Sequence, residues 1–391
     1  MSPRSTSLAP LLVVTFLGSV SSGIFWAGIF FVTAMHYRFS PARNLVLAAA
    51  MGGIYALGAR YAGPLLRVFE RRLTPRALLA TALSGWGLAA LLPITFARHE
   101  AALWAAGLLG GVASAMTWPI VESYVGAGQH GARMRAAIGW FNVTWTPATA
   151  VPLFLLPLLA RTNVLLAVAL SALVNGLALL ALPALPARPA AHERAAAETA
   201  VGREYPFLMR AASWLLPASY VMSATLSPVL PHRLAEVGHG GADASLFAAI
   251  WMLGRFLTLL AMWRIGFWHG RWGTLAAGAG ALMIGVATTL LASTLGGLVA
   301  GLVVFGVGMG LTYYAALYYA LAVGHAAVDA GGTFEALIGL GYCVGPLLGL
   351  AGRGIAGEAN APSATVLLVA LVTALAGAAA VRPYLAARRG R

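Results

Sequence analysis

The sequence predicts an all-α membrane protein that crosses the bilayer many times. Hydrophobic residues make up 60% of the 391 residues, only 9% are charged, and the mean hydropathy is +0.83. A water-soluble protein of this size could not cover its surface with so few charged residues. Apolar segments of about 20 residues recur along the chain, and each is long enough to cross a hydrocarbon core about 30 Å thick.

Turns that contain polar residues, proline or glycine divide the chain into twelve apolar segments. The first six are predicted at 8–37, 45–66, 77–97, 101–126, 136–160 and 164–186. The last six are predicted at 207–230, 245–267, 274–292, 298–323, 333–351 and 364–381. The first segment is too long for a signal peptide, so it is expected to stay in the membrane. The longest hydrophilic stretch, 187–206, is the expected linker between an N-terminal bundle (1–186) and a C-terminal bundle (207–391).

Arginine placement predicts the orientation, because cytoplasmic loops are enriched in basic residues. With both termini in the cytoplasm, the inner loops and the tail hold Arg67, Arg71, Arg72, Arg76, Arg133, Arg135, Arg188, Arg194, Arg203, Arg264, Arg271, Arg388, Arg389 and Arg391. The outer loops hold Arg38, Arg43, Arg98, Arg161, Arg233 and Arg353. Such dispersed arginines also argue against nucleic-acid binding, which would gather them on one domain.

The two halves of the chain repeat in register. A shift of 200 positions pairs Arg71 with Arg271 and Thr74 with Thr274, and it pairs the sequence AAIG at 136–139 with ALIG at 336–339. Two six-segment halves of like orientation are typical of transporters, whose binding site lies where the halves meet. The sequence therefore predicts two pseudo-symmetric six-helix bundles.

The loop between segments two and three carries a motif, GPLLRVFERR at 63–72, and a shorter echo, WHGRW, stands at 268–272. With the twelve segments, this loop resembles the Gly-x-x-x-Asp-Arg-x-Gly-Arg-Arg signature of the major facilitator superfamily. The resemblance implies the fold of that superfamily and transport by alternating access. Segment four lacks the arginine, and segment five the glycine–proline pair, of the superfamily's drug:proton antiporters, which speaks against drug efflux.

Three ionisable residues stand inside apolar segments: Glu122, Arg255 and Glu335. A charge at bilayer depth costs at least about 2.5–3.5 kcal/mol, so such residues usually face a partner helix or a water-filled path. Glu122 continues a stripe on one face of segment four that also contains Gly107, Gly111, Ser114 and Trp118. It is interpreted either as a carboxylate that binds the coupling proton or contacts substrate, or as a structural partner of Arg60.

Arg255 lies ten residues into segment eight, near the middle of the bilayer. Its guanidinium keeps its charge and can bind a carboxylate or phosphate through two parallel hydrogen bonds. The alternative is a permanent partner inside the protein, such as Glu335 or a backbone carbonyl. If Arg255 faces the transport path, the substrate carries at least one negative charge.

Glu335 is expected in the first turn of segment eleven, on the cytoplasmic side. By family resemblance that segment lies beside segment two, where Glu335 would close an inner gate by pairing with Arg60, Arg67 or Arg71. The alternative is a simple favourable interaction with the positive end of the helix dipole.

Aromatic residues crowd the segments expected to line the path. The candidate substrate contacts are Trp26, Trp118, Trp145, Tyr220, Trp251, Tyr313, Tyr314 and Tyr318, with Tyr124 and Tyr342 as further candidates. Aromatic side chains with a polar group suit an amphipathic or ring-bearing substrate, although helix packing and interfacial belts explain single residues equally well. Asn142 in segment five is expected to hydrogen-bond either the ligand or a neighbouring helix.

No cofactor, metal site or enzymatic activity is predicted, because the sequence has no paired metal-binding histidines, no phosphate-binding glycine loop and no hydrolase triad. We expect a monomeric secondary transporter that moves a small anionic or amphipathic solute, with protons, through the lipid bilayer of a bacterial inner membrane. The alternatives are a lipid or lipid-precursor flippase of the same fold, a membrane-embedded transferase, and a sensor that does not transport.

Overall fold

The computed structural model describes residues 8–69, 72–128, 131–190, 204–323 and 328–389. At 131–132, 135, 320–323, 328–331 and 386–389 it describes the backbone alone. Arg71 of the loop motif and most of the predicted linker lie outside the described residues.

The N-terminal part of the chain forms six long helices. They are α1 (Leu8–His36), α2 (Pro41–Val68), α3 (Pro75–Thr95), α4 (Glu100–Gly126), α5 (Gly131–Ala160) and α6 (Leu166–Ala181). A π-helical turn, Ile24–Gly28, interrupts α1 near its middle. Such turns widen a helix locally and are frequent at functional sites, and this one contains Trp26.

Six more long helices follow residue 204. They are α7 (Tyr205–Leu226), α8 (Ala244–Arg264), α9 (Trp272–Leu291), α10 (Leu295–Val323), α11 (328–356) and α12 (358–389). A short helix, Leu230–Glu236, lies between α7 and α8. α11 and α12 form one stretch, Val328–Arg389, that is interrupted only by the non-helical backbone of Gly357, where φ is +72°. The gap predicted at 352–363 is therefore helical on both sides of a single glycine.

The twelve helices confirm the predicted all-α membrane fold. Ten stretches of the described chain are long and apolar enough to cross a bilayer, and one of them, Gly332–Leu385, contains both α11 and α12. The twelfth helix, α7, falls outside that group by composition because it carries Arg210 and several serines. The chain is a multi-pass membrane protein.

Local sequence explains where two of the helices begin. Ser40 and Thr74 stand just before α2 and α3, and their hydroxyl oxygens accept hydrogen bonds from the backbone N–H groups of Arg43 and Ala77 at 3.3 and 3.1 Å. A proline follows each cap at the first helical position, where its missing N–H costs nothing. Thr74 of the sequence repeat is thus a helix cap, whereas its repeat partner Thr274 lies inside α9.

Glycines let the two sets of six helices touch along two antiparallel pairs. In the α2–α11 pair, a Cβ on Gly52 would stand 2.3 Å from the backbone of Tyr342, and one on Gly339 would stand 2.6 Å from Ala56. In the α5–α8 pair, a Cβ on Gly139 would stand 2.1 Å from the indole of Trp263. These close contacts fix the two joins on either side of the space between the sets.

The same helix neighbours recur in both sets. In the first set, Gly23 of α1 packs against α5. In the second set, Gly345 of α11 packs against α7, which is the equivalent pair. Likewise Gly111 of α4 packs on α2, and Gly306 of α10 packs on α8. The recurrence with an offset of six helices agrees with the repeat seen in the sequence.

Candidate functional site

A cavity of about 80 Å³ lies between the two sets of helices. Its lining residues are Ser19, Ser22, Gly23, Trp26, Tyr55, Trp118, Glu122, Phe141, Trp145, Thr149, Tyr220, Ser223, Trp251, Met252, Arg255, Tyr313, Glu335, Ile338 and Tyr342. Eight of the twelve helices, four from each set, contribute to this lining. Trp145 and Arg255 stand near the midpoints of α5 and α8.

Arg255 is the cation of the cavity. Its side chain is buried, and its guanidinium carbon stands 4.5 Å from the ring centre of Trp145 and 4.8 Å from that of Trp251. Its Nη2 donates a hydrogen bond to the hydroxyl of Thr149 at 3.1 Å. Two aromatic rings and one hydroxyl, drawn from both sets of helices, therefore hold the guanidinium in a defined orientation.

The positive charge of Arg255 has no anionic partner in the described part of the chain, where the ion pairs all lie elsewhere. Its Nε–H also lacks a hydrogen-bond acceptor among the described residues. The phenol groups of Tyr220, Tyr313 and Tyr342 stand near enough to interact with it electrostatically. A buried cation with an unused donor is costly unless a ligand or water completes its shell.

Two carboxyl groups meet at the other charged point of the cavity. Glu122 of α4 and Glu335 of α11 form a side-chain hydrogen bond with each other, and the hydroxyl of Tyr55 donates a hydrogen bond to Glu335. A carboxylate only accepts hydrogen bonds, so a bond between two carboxyl groups requires a proton on one of them. The pair joins the two sets of helices and can hold a proton between its two carboxyl groups.

Seven of the predicted substrate contacts line the cavity: Trp26, Trp118, Trp145, Tyr220, Trp251, Tyr313 and Arg255. Tyr314 and Tyr318 do not. They lie in a second recess beside Met262, Trp263 and His269, and both rings pack against Trp268.

Asn142 lies behind the cavity wall. It is fully buried, and its Oδ1 accepts a hydrogen bond of 2.8 Å from the indole N–H of Trp145. The structure thus gives Asn142 a partner on its own helix, where it fixes the ring that covers Arg255. Its Nδ2 has no acceptor among the described residues.

Glu335 stands deeper than the sequence predicted. α11 begins no later than Val328, seven residues before Glu335, so the helix-dipole interpretation, which needs the first turn, is wrong. The gate hypothesis paired Glu335 with Arg60, Arg67 or Arg71. The contacts of Glu335 are instead Tyr55 and Glu122, while Arg60 and Arg67 are exposed on α2 and Arg71 lies outside the described residues.

Glu122 was interpreted either as a carboxylate that binds the coupling proton or contacts substrate, or as a structural partner of Arg60. Its side-chain contact is the carboxyl group of Glu335 and not the guanidinium of Arg60. The residues that sequence reasoning missed are Tyr55, Thr149 and the serines of α1 and α7. Nothing in their local pattern separates them from packing residues, because hydroxyl side chains inside a span commonly bond their own helix backbone.

No family model and no curated protein matches the sequence. Solved structures do match. The human organic anion transporter MFSD10 (TETRAN) superposes with a TM-score of 0.66 at 17% identity, covering 96% of this chain and 100% of that one. The nucleoside transporter NupG superposes with a TM-score of 0.65 at 15% identity, covering 95% and 98%.

The chain has the major facilitator fold. Both neighbours cover nearly all of it with their own full length, so the agreement includes all twelve helices and their order. Identities this low show a shared fold, and the chemistry of the cavity therefore has to be argued from its own residues.

Proposed function

We propose that this protein is a secondary active transporter that moves a small organic anion by alternating access. The observation that carries the proposal is Arg255, a buried guanidinium that faces the cavity, is oriented by Trp145, Trp251 and Thr149, and has no carboxylate partner among the described residues. An anionic ligand would supply the missing charge and accept from the unused Nε–H. One of the two neighbouring structures is named as an organic anion transporter, in agreement with this assignment.

Protons are the proposed coupling ion, and Glu122 with Glu335 is the proposed proton site. The two carboxyl groups belong to different sets of helices and bond each other only while they share a proton. Two charged carboxylates about 4 Å apart would repel by roughly 4 kcal/mol at an effective dielectric constant of 20. Loss of the shared proton would therefore favour separation of α4 from α11, which is a movement of one bundle against the other.

The remaining assignments rest on the sequence. We place the protein in a bacterial inner membrane with both termini in the cytoplasm, because of the arginine distribution. The N-terminal bundle (1–186) and the C-terminal bundle (207–391) are the proposed moving units, joined by the linker at 187–206. The protein acts as a monomer without a cofactor, and it is not an enzyme.

The experiment compares Arg255→Gln with Arg264→Gln in the purified full chain. Both arginines belong to α8, but Arg264 is exposed and stands over Trp263 instead of facing the cavity. Thermal stability is measured with monocarboxylates, dicarboxylates, sulfonates and phosphate monoesters, each paired with its uncharged amide or alcohol. Any anion that stabilises the wild type is then tested for uptake into proteoliposomes.

We expect at least one anion to stabilise the wild type and Arg264→Gln, with its uncharged partner inactive. Arg255→Gln should lose 10- to 100-fold or more in affinity, because a charge-assisted hydrogen bond contributes about 1.5–3 kcal/mol. Anion binding that survives in Arg255→Gln, or neutral partners that bind as well as the acids, would refute the anion assignment. Binding without uptake would refute transport.

A further inference from the structure

We propose that the substrate is a ring-bearing monoanion, with its acid group on Arg255 and its ring among the aromatic side chains where α1 and α11 meet. This inference rests on the proposed anion transport and names the class of anion. It is carried by two independent features of the cavity, the number of its charges and the arrangement of its rings.

The charge count sets the charge of the ligand. The described cavity lining contains one cation, Arg255, and two carboxyl groups, those of Glu122 and Glu335. A monoanion on Arg255 neutralises the guanidinium. A second anionic group would find no further cation in this lining and would stand in a desolvated space beside the carboxyl pair.

The ring arrangement sets the shape of the ligand. Trp26 and Tyr342 stack with ring centres 4.1 Å apart and planes 11° from parallel, and each comes from a different set of helices. Tyr55 stands edge-on to Trp26 at 5.2 Å, and Tyr220 stands edge-on to Tyr342 at 5.2 Å. The four rings form a continuous aromatic wall, which favours a flat ring over an alkyl chain because aromatic pairs gain beyond their buried area.

The wall connects directly to the anion site. Tyr220 and Tyr342, which belong to it, line the same cavity as Arg255. A ligand held by Arg255 would therefore share the cavity with these phenols. The phenol hydroxyls are neutral donors that can add hydrogen bonds to the same acid group or to a hydroxyl on the ring.

Matched ligands test the ring and the charge separately on the unaltered protein. The panel is 2-naphthoate, benzoate, cyclohexanecarboxylate, heptanoate, benzamide and phthalate. Dissociation constants are measured with the purified full chain, and uptake is measured in proteoliposomes. We expect benzoate to bind at least about fivefold tighter than cyclohexanecarboxylate and heptanoate, naphthoate to bind tightest, and benzamide and phthalate to bind more than tenfold weaker than benzoate.

A pair of variants locates the ring. Trp26→Leu should remove the preference for benzoate over cyclohexanecarboxylate while both acids still bind through Arg255. Trp214→Leu is the matched control, because Trp214 lies on α7 with 46% of its surface exposed on the outside of the bundle. Trp26→Phe keeps a ring and should restore the preference, which separates a lost stacking partner from a damaged fold.

The outcomes distinguish the two proposals. Equal affinity for the aromatic, saturated and linear acids would overturn the ring assignment and leave anion transport standing. Phthalate binding as tightly as benzoate would overturn the monoanion assignment. Binding of none of the acids, together with no response to the wider anion panel, would overturn the proposed function itself.

Discussion

A buried arginine needs its surroundings to replace water, and Arg255 shows how little this chain supplies. Two indole faces and one threonine hydroxyl surround it, yet one donor stays unpaired among the described residues. Asn142 supports this arrangement from behind by holding the indole of Trp145. Within the described part of the chain this buried charge is uncompensated, which is more consistent with recognition than with stability.

His232, which lies outside the membrane-spanning helices, gives a prediction about the pH dependence of stability. Burial, aided by the nearby charge of Arg353, lowers the pKa of His232 below its usual 6.5, and Glu236 offsets this only in part. The unfolded chain therefore binds more protons at this position than the folded chain below about pH 6.5, so stability should rise with pH through that window. His232→Gln should reduce the loss of thermal stability between pH 7.5 and 5 by roughly 2 °C.

The control for this measurement is His239→Gln, in the same connection between α7 and α8 but exposed to solvent. It should leave the pH dependence of the melting temperature as in the wild type. If His232→Gln melts with the same pH dependence as the wild type, burial of the imidazole does not contribute to acid sensitivity.

At the scale of helices, the α2–α11 join depends on glycine at defined positions. A Cβ on Gly52 would stand 2.3 Å from the backbone carbon of Tyr342, which cannot move aside without shifting α11. A Cβ on the adjacent Gly53 would meet only the sulfur of Cys343, at 3.6 Å, an ordinary contact. Gly52→Ala should therefore destabilise the folded chain by about 1–3 kcal/mol, whereas Gly53→Ala should be tolerated.

Thermal unfolding of the two purified variants in the same detergent checks this prediction. Because Gly53→Ala is an identical substitution one position away, it controls for the change in helix propensity. Equal melting temperatures for the two variants would mean that the helices are not held as close as described.

The helices themselves could be predicted because their signals are local. Long apolar runs and capping residues such as Ser40 and Thr74 act within a few residues, so the order and number of spans followed from sequence. The start of α11 could not be predicted from the sequence. Gly332 suggests a turn, but it is glycine because a Cβ there would stand 2.7 Å from the carbonyl oxygen of Ala59 on α2. Packing between two helices requires this glycine, and a single sequence does not distinguish a glycine needed for packing from one that forms a turn.

The site was predictable in part for the same reason. Arg255 and Glu122 were found because a charge inside an apolar run stands out without any knowledge of neighbours. The sequence did not show which tyrosine of α10 faces the cavity. Tyr313 lines it, whereas the adjacent Tyr314 points about 100° away around the helix and packs on Trp268. Choosing between them requires the rotation of the helix, which packing decides.

At the scale of the whole molecule, the proposed coupling of one proton to one monoanion predicts the electrical character of transport. One monoanion and one added proton leave the sum of charges unchanged. Each uncompensated charge crossing 100 mV would be worth about 2.3 kcal/mol, or roughly 50-fold in accumulation. We expect uptake into proteoliposomes to follow an imposed pH gradient and to respond little to a potassium diffusion potential.

Glu122→Gln tests the carboxyl pair as the site of the proton. The amide keeps the shape but cannot be charged, so anion binding should persist while accumulation driven by the pH gradient is lost. Glu100→Gln is the matched control on the same helix, where Glu100 pairs with Arg43 at the exposed end. Uptake by Glu122→Gln that still concentrates the anion along a pH gradient would contradict this role.

Cys343 is the chain's sole sulfhydryl, and the chain contains no lysine. The sulfur sits opposite Gly53 at the seam between α2 and α11. A maleimide dye should therefore attach at one place in the native sequence, and its rate of attachment would report how far that seam parts during turnover.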